Sequence, residues 1–179
     1  MTRRTHELRV PMEFELRPFR PDDLASLVRH ASHPTVAGNL TDSFPDPFTE
    51  EAGRAFIEVA MNGDALRRCI AIDGACAGAI GLHPKQDLWR NNLELGYWLA
   101  LPYRGQGIMT RAIRQMVALG FDSFPAITRI YATPFGSNNA SQRALEKAGF
   151  VLEATLHGTL IKNGVVQDEL IYAVRRDTW

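Results

Sequence analysis

Hydrophobic residues along the chain change their spacing at a glycine-containing turn near the middle of the sequence. Residues 93–101 form an apolar and aromatic run that partly alternates, and Pro102 ends it because the residue before a proline is pushed out of helical geometry. Residues 108–120 instead place apolar side chains three and four positions apart. The pattern therefore predicts a strand, a short turn and an amphipathic helix.

The same two spacings predict a mixed order of strands and helices in the rest of the chain. Strands are predicted at residues 14–19, 68–72, 75–82, 127–133, 150–157 and 169–174. Helices are predicted from Pro21 to Ser32, from Thr49 with Ala52, Phe56, Val59 and Ala60 on its buried side, and from Ser137 or Asn138 to Gly149. Residues 35–48 are predicted to form a loop, and Asp73-Gly74 and Asn163-Gly164 are predicted hairpin turns.

The turn between the central strand and helix has the chemistry of an anion site. Gly105 and Gly107 carry no side chains that would keep an anion away, so successive backbone N–H groups can point at one ligand. The first turn of a helix adds unsatisfied donors and a partial positive charge, and Arg104 could add a cation. Two glycines at this spacing are equally compatible with an ordinary tight turn.

Two common nucleotide motifs do not fit this turn. A dinucleotide fingerprint needs a third small residue where the chain has Thr110, and an acidic residue about twenty positions later, where it has Phe124-Pro125-Ala126. A P-loop would need a Gly-Lys-Ser or Gly-Lys-Thr ending, which the turn lacks. We therefore expect a phosphate-bearing ligand other than a nucleoside triphosphate in a Walker site.

Composition favours one soluble domain. The chain has 179 residues, 45% of them hydrophobic, which suits a domain able to bury a substantial core. Twenty Lys and Arg balance twenty Asp and Glu, so no overall basic field favours nucleic acid or an anionic membrane as partner. Cys69 and Cys76 lack the spacing of a zinc or redox motif and are expected to be reduced thiols. His30 and His33 have no evident third ligand, so no metal site is expected.

The beginning of the chain indicates its compartment. Residues 1–11 contain five charged or histidine side chains where a signal peptide needs an apolar core, and no apolar stretch approaches the length of a membrane span. A cytoplasmic protein is therefore expected. Residues 1–12 are predicted to be an N-terminal extension and residues 13–179 a single domain.

Three ordered blocks carry a resemblance to a known family. The segment Arg104–Met109 is similar to the acyl-CoA pyrophosphate loop of the GNAT superfamily of N-acyltransferases, although Met109 departs from a usually small position. The continuation to Thr110, together with Glu94–Leu99 before it and Asn138–Phe150 after it, resembles the branch that acetylates the N-termini of ribosomal proteins. The resemblance extends from about Phe14 to Val174.

The resemblance implies a fold, a cofactor and a binding site. The fold would be mixed α/β, with a mostly antiparallel twisted sheet, one parallel strand pair that splays apart, and helices on both faces. Acetyl-CoA would bind in that splay without a metal, and a homodimer is compatible with the family. The implied cofactor-binding residues are Trp98, Leu99, Arg104, Gly105, Gln106, Gly107, Ile108, Met109, Thr110, Asn138 and Ser141.

The resemblance also implies direct attack of a neutral amine on the acetyl thioester. A backbone N–H at Trp98 or Leu99, beside a bulge of the strand, would stabilise the oxyanion. Glu94 is the candidate general base, directly or through water, and is otherwise a solvated or ion-paired strand residue. Ser141 is the candidate acid for the leaving thiolate, and Asn138 a pantetheine contact, although either could simply cap a helix.

One departure affects the acid. Many family members carry a tyrosine where this chain has Leu145, so Ser141, Tyr97 or water must protonate the thiolate, or the thiolate leaves unprotonated.

The acceptor is the least defined part of the prediction. The resemblance favours a peptide N-terminus, and small-molecule amines such as polyamines, amino acids and antibiotics stay open. His83 and His157 could line the acceptor pocket, or be structural groups at strand ends. Two rival functions are a non-catalytic acyl-CoA-binding module and an acetyltransferase that acts on an antibiotic or an aminoacyl-tRNA.

Overall fold

One seven-stranded sheet organises the computed structural model, which describes residues 11–179. The predicted N-terminal extension therefore lies outside the described residues, apart from Pro11 and Met12. The strands lie in the order β1-β2-β3-β4-β5-β7-β6. They are β1 (Glu15–Arg17), β2 (Leu66–Ile72), β3 (Ala75–Pro84), β4 (Asn92–Leu99), β5 (Arg129–Ala132), β6 (Val151–Lys162) and β7 (Val165–Arg175).

Within residues 11–179, five α-helices cover the two faces of the sheet. They are α1 (Leu24–Ala31), α2 (Pro34–Ala37), α3 (Glu50–Asn62), α4 (Ile108–Ser123) and α5 (Asn139–Lys147). Side chains of α1, α2 and α3 pack in one core with Cys69, Ala79 and Trp98 from the sheet. Side chains of α4 and α5 pack in a second core against the other face, with Leu82 and Ile130. The predicted mixed α/β fold with helices on both faces is confirmed.

The parallel pair β4–β5 creates an opening in the sheet. The two strands pair only from Asn92 to Glu94 and from Arg129 to Tyr131, although β4 continues to Leu99. All other neighbouring strands are antiparallel. Within the described residues, the pairing of β4 shows no register shift with either neighbour. The opening therefore comes from divergence of the strands, and the expected bulge is not found.

Helix α4 approaches the sheet closely on one side of this opening. A Cβ at Gly120 would lie 2.4 Å from Leu82 Cδ1 and 3.3 Å from Ile130 Cδ1. Only glycine fits there without a shift of the sheet side chains. This contact fixes the axis of α4 and so the position of its N-terminus at the mouth of the opening.

Two local predictions are corrected by the structure. Pro34, interpreted as the residue that ends α1, is the first residue of α2 inside the predicted loop, because proline is well suited to the first position of a helix. On α3, the fully buried positions are Gly53 and Ile57, whereas Val59 is exposed. The lack of a side chain at Gly53 lets α3 approach Leu24 and Val28 of α1, and this contact decides which side of α3 is buried.

A buried ion pair joins the first strand to the first helix, and we expect its loss to destabilise the fold. Arg17 donates two hydrogen bonds to Asp23, at 2.8 and 2.6 Å, and each side chain is 4% exposed. Asp23→Ala would leave the guanidinium buried without its carboxylate, so we expect a loss of about 3–5 kcal/mol in the free energy of unfolding, measured with urea. The exposed neighbour Asp22→Ala is the control, expected within about 0.5 kcal/mol of the wild type. Equal losses in both variants would contradict this role.

Candidate functional site

A cavity of about 780 Å³ lies where β4 and β5 diverge. Its walls come from β4, the turn after it, the first turns of α4 and α5, and the segment around α2. The predicted site residues that line it are Glu94, Tyr97, Trp98, Leu99, Arg104, Gly105, Gln106, Gly107, Ile108, Met109, Thr110, Asn138 and Ser141. The structure therefore brings all the predicted catalytic and cofactor-binding residues to one cavity.

The turn before α4 has the geometry of an anion-binding loop. Gly105 and Gly107 both have φ of +74°, a left-handed conformation that is costly for most other residues. A Cβ at either position would find no protein atom within 4 Å, so the space beside the backbone is open. Because Gly107 is the N-cap of α4, the N–H groups of the following turn have no acceptor within the helix. The loop therefore presents unsatisfied donors at the cavity.

Arg104 holds this turn in place. Its Nε donates to the carbonyl oxygen of Leu99 at 2.8 Å, and its Nη2 donates to that of Thr35 at 3.5 Å. Burial lowers the pKa of the guanidinium, which nevertheless stays charged. Arg104, predicted as a cation of the anion site, therefore links the end of β4 to α2 by hydrogen bonds and also adds its charge to the cavity.

Three further cations line the cavity and were not predicted. Arg143 and Lys147 lie four positions apart on α5 and so share one side of that helix. Arg111 of α4 lines the cavity, donates to the carbonyl of Met12 and stacks over the Phe14 ring at 4.9 Å. The helical spacing of these residues was visible in the sequence, but the meeting of α4 with α5 was not. Together with Arg104 they make four cations among the described residues that line the cavity.

Two hydroxyl groups meet inside the cavity between β4 and α5. Tyr97 Oη and Ser141 Oγ share a hydrogen bond of 2.7 Å. Burial raises the pKa of Tyr97, and the bond to Ser141 only partly opposes this rise, so the phenol is protonated at neutral pH. Asn138 caps α5, since its Oδ1 accepts a hydrogen bond from the Ser141 backbone N–H at 3.1 Å. Its NH₂ group is the part left to contact a ligand.

Glu94 is the only carboxylate among the described residues that line the cavity, and it carries two hydrogen bonds. Its Oε2 accepts from Lys85 Nζ at 3.0 Å and from the Tyr131 hydroxyl at 3.3 Å. The hydrogen bond and charge of Glu94 raise the pKa of Lys85. The side chain is 36% exposed, and Oε1 has no hydrogen-bond partner among the described residues.

His83 lies directly opposite Glu94 in the β3–β4 register and lines the cavity, as predicted. Burial lowers the pKa of its imidazole below the ordinary value of 6.5, with a further contribution from the charge of Arg67. His157 is instead exposed, lies away from the cavity and contacts Asp168 at 3.0 Å. Of the two alternatives left open for these histidines, the structure places His83 at the cavity and gives His157 a structural contact outside it.

Trp98 forms part of the cavity wall while its ring packs in the core beneath α2. Its side chain is 7% exposed, and Nε1 has no hydrogen-bond partner among the described residues. The ring contacts Phe44 edge-on, with 6.5 Å between centroids. A buried indole N–H without a hydrogen-bond partner is uncommon, so Trp98 Nε1 is a donor without an acceptor among the described residues.

The remaining predicted groups lie elsewhere in the structure. His33 caps α2 and His30 packs edge-on against Tyr103, 5.9 Å between centroids. Cys69 and Cys76 are free thiols, both completely buried beside the predicted hairpin turn. No group of three or more metal-ligating side chains occurs within residues 11–179. No helix in this part of the chain is both long and apolar enough to cross a membrane.

A sheet opened by one diverging parallel pair, with an anion-binding turn at the mouth, defines a class of acyl-CoA-dependent fold. Residues 13–151 match the family described as Acetyltransferase (GNAT) domain. The chain belongs to this family. The family predicted from the three sequence blocks is confirmed.

Individual relatives agree with this assignment. The chain is 30% identical over 119 residues to YdaF of Bacillus subtilis, whose name describes a ribosomal N-acetyltransferase; the match covers 66% of this chain and 63% of that protein. A solved structure of Mycobacterium smegmatis RimJ in complex with CoA-disulfide is 26% identical, with a TM-score of 0.80 over 94% of this chain and 85% of that one. The microcin C7 self-immunity acetyltransferase MccE, solved with acetyl-CoA and AMP, is 26% identical, with a TM-score of 0.70 over 86% of each chain.

Proposed function

We propose that the chain is an acetyl-CoA-dependent N-acetyltransferase that acetylates a primary amine in the cavity between β4 and β5. The observation that carries this proposal is the charge arrangement of the cavity. Open backbone amides and Arg104 lie in the turn after the end of β4, and three further cations line the cavity from α4 and α5. Glu94, the one lining carboxylate of the described residues, lies near the start of β4. A polyanionic donor and a basic acceptor would therefore find their partners at different ends of β4.

The cations and open backbone amides that line the cavity fit coenzyme A. The amides of residues 105–110 would hold the diphosphate, since helix N-termini and left-handed glycine turns both bind phosphate. Arg111, Arg143 and Lys147 would neutralise the remaining phosphate charge. The opening between the strands, with Asn138 at its edge, would take the pantetheine arm. When bound, acetyl-CoA supplies an acetyl group activated as a thioester.

The protein groups around the opening have the roles that transfer requires. Glu94 would receive the acceptor amine on Oε1 and assist its deprotonation, directly or through water. The backbone N–H of Trp98 or Leu99 would donate to the developing oxyanion, because β4 no longer pairs with β5 there, although it still pairs with β3. Ser141 Oγ, bonded to Tyr97 Oη, would hold the proton for the departing sulfur.

A peptide N-terminus is the acceptor we favour. An α-amine has a pKa near about 7.7–8.0 and is partly neutral at cytosolic pH, whereas lysine near about 10.4 costs more to deprotonate. Lys85 beside Glu94 disfavours polyamines, whose second ammonium it would repel. The name of YdaF, which describes a ribosomal N-acetyltransferase, supports a ribosomal protein as acceptor, while MccE, solved with AMP, supports a nucleotide-linked amine as the second candidate.

A panel of acceptors tests the proposal. Release of free thiol from acetyl-CoA would be followed with N-terminal peptides, aminoacyl-tRNA, aminoglycosides and polyamines. We expect the peptides to give the highest kcat/KM. Acetyl transfer to another class of amine would change the assigned acceptor but would still support an N-acetyltransferase. Binding of CoA with transfer to no amine would instead support a non-catalytic binding module.

The hydroxyl pair leads to a prediction about turnover. We expect Ser141→Ala to lower kcat about a hundredfold while acetyl-CoA affinity stays within about twofold, because the lost group acts on a proton. Tyr97→Phe removes one member of the pair and should have a smaller effect in the same direction. Ser137→Ala is the control, since Ser137 bonds Gln167 outside the cavity. Unchanged kcat in Ser141→Ala would mean that the thiolate leaves unprotonated or takes its proton from water.

A further inference from the structure

The side of the cavity near Glu94 contains an imidazole for which the proposed function has no use so far. His83 lies on β3, and neither ring nitrogen has a hydrogen-bond partner among residues 11–179. Glu94 lies opposite it on β4, and Tyr131 lies opposite Glu94 on β5. These three residues form one row across the sheet, and His83 and Glu94 of this row line the cavity.

The space beside this imidazole is open. Gly81 and Gly96 are paired in the adjacent row of the sheet. A Cβ at Gly96 would meet only the His83 ring within 4 Å, with Nε2 3.7 Å away. Because Gly96 is exposed and has no left-handed conformation, its missing side chain leaves room for a ligand that ends at His83.

The charges around His83 favour its neutral form. Arg67 on β2, Lys85 directly after β3 and Glu94 on β4 are the charged groups that act on it, and Tyr131 on β5 faces the same row. Burial and the two cations oppose protonation more strongly than Glu94 favours it, so the pKa of His83 lies below 6.5. At neutral pH the ring therefore has a free lone pair.

Glu94 is less free than His83. Its Oε2 already accepts hydrogen bonds from Lys85 and Tyr131. Its other oxygen, Oε1, has no hydrogen-bond partner among the described residues and is the atom left to bind the acceptor amine. The group with no hydrogen-bond partner at all among these residues, in contrast, is the imidazole. The two residues can therefore divide the work of binding the amine and removing its proton.

We infer that His83 is a catalytic residue that accepts the proton of the acceptor amine while Glu94 holds that amine in place. This inference rests on the proposed acetyl transfer. The bound ammonium gives one proton to His83, and the neutral nitrogen then attacks the acetyl carbon as the carbon–sulfur bond breaks. The nitrogen releases its second proton to water, and the sulfur takes a proton from the Ser141–Tyr97 pair, which regains one from water, or leaves as thiolate. The imidazolium then returns its proton to water.

The pH dependence of His83→Gln tests the inference. In the wild type, kcat/KM should rise with pH through the His83 pKa, below 6.5, because only the neutral ring accepts a proton. In His83→Gln we expect kcat/KM to fall about a hundredfold. We also expect the rise of kcat/KM at acidic pH, the acidic limb of the profile, to disappear, so that the only remaining rise is the one caused by deprotonation of the acceptor amine. His157→Gln, the same change at an exposed site outside the cavity, should keep the wild-type profile.

A second readout separates catalysis from structure. The His83 ring signals, assigned by their absence from His83→Gln, should titrate by NMR in the unliganded protein at the same pH as the kinetic limb. His83→Asn provides the same comparison if the glutamine variant does not fold. An acidic limb that persists in a folded variant, or a His83 titration away from that limb, would overturn the inference. If the wild type itself acetylates no amine, the proposed function has failed instead.

Discussion

Gly107→Asp should abolish binding of acetyl-CoA. Position 107 is the N-cap of α4, and a side chain there would extend into open space rather than into the protein. An aspartate would therefore place its carboxylate where the diphosphate is expected, and two like charges about 4 Å apart repel by about 4 kcal/mol at a protein surface. We expect an affinity loss of at least about a hundredfold by calorimetry.

Gly107→Asn is the matched control for this change. Asparagine has nearly the same shape, tolerates the left-handed conformation as well as aspartate does, and carries no charge. It should lose clearly less affinity than Gly107→Asp. Unchanged affinity in Gly107→Asp would show that the turn does not contact the diphosphate, and equal losses in the two variants would assign the effect to backbone strain.

Glu94→Gln should lower turnover mainly at low pH. Glutamine keeps the shape of the side chain and its bond from Tyr131, but it removes the charge that would hold a protonated amine. Below the amine pKa of about 7.7–8.0 the acceptor is mostly an ammonium, so kcat/KM should fall about a hundredfold there and much less above it.

Glu153→Gln is the matched control for Glu94→Gln. Glu153 is also ion-paired, with Arg129 and Arg175, but lies outside the cavity. We expect its pH profile of kcat/KM to match the wild type. A wild-type profile in Glu94→Gln would remove Glu94 from the mechanism.

The features that could be predicted from the sequence are those whose physical causes are local. The Asp73-Gly74 and Asn163-Gly164 turns, the end of β4 near Pro102 and the start of α4 at Gly107 all depend on a few adjacent residues. The positive φ of glycine, the fixed φ of proline and the spacing of apolar side chains each act over only a few neighbouring residues. These features were therefore visible before the fold was known.

The features that were missed depend on residues far apart in the chain. Tyr97 and Ser141, which meet at 2.7 Å, are separated by 44 positions. The row of His83, Glu94 and Tyr131 exists only because β5 pairs in parallel with β4. The sequence predicted individual residues of this site. It did not show that Glu94 is ion-paired, that His83 has no hydrogen-bond partner among the described residues, or that Tyr97 and Ser141 share a hydrogen bond, because these contacts depend on strand register and on helix packing.

Helix faces show the same limit. Apolar spacing on α3 gave an approximate stripe, but the contact of Gly53 with α1 decides that Ile57, and not Val59, is fully buried. Spacing also placed Arg111 on the polar side of α4 without showing that this side borders a cavity. A hydrophobic pattern reports which residues avoid water, whereas the partner element determines what the polar residues meet.

A crystal structure of the chain with coenzyme A tests the central claim most directly. We expect diphosphate oxygens within about 2.7–3.2 Å of backbone nitrogens in residues 105–110, and the thiol end in the opening between β4 and β5 near Ser141. A turn that stays vacant at millimolar coenzyme A, or coenzyme A bound away from this opening, would contradict the proposed acetyl transfer.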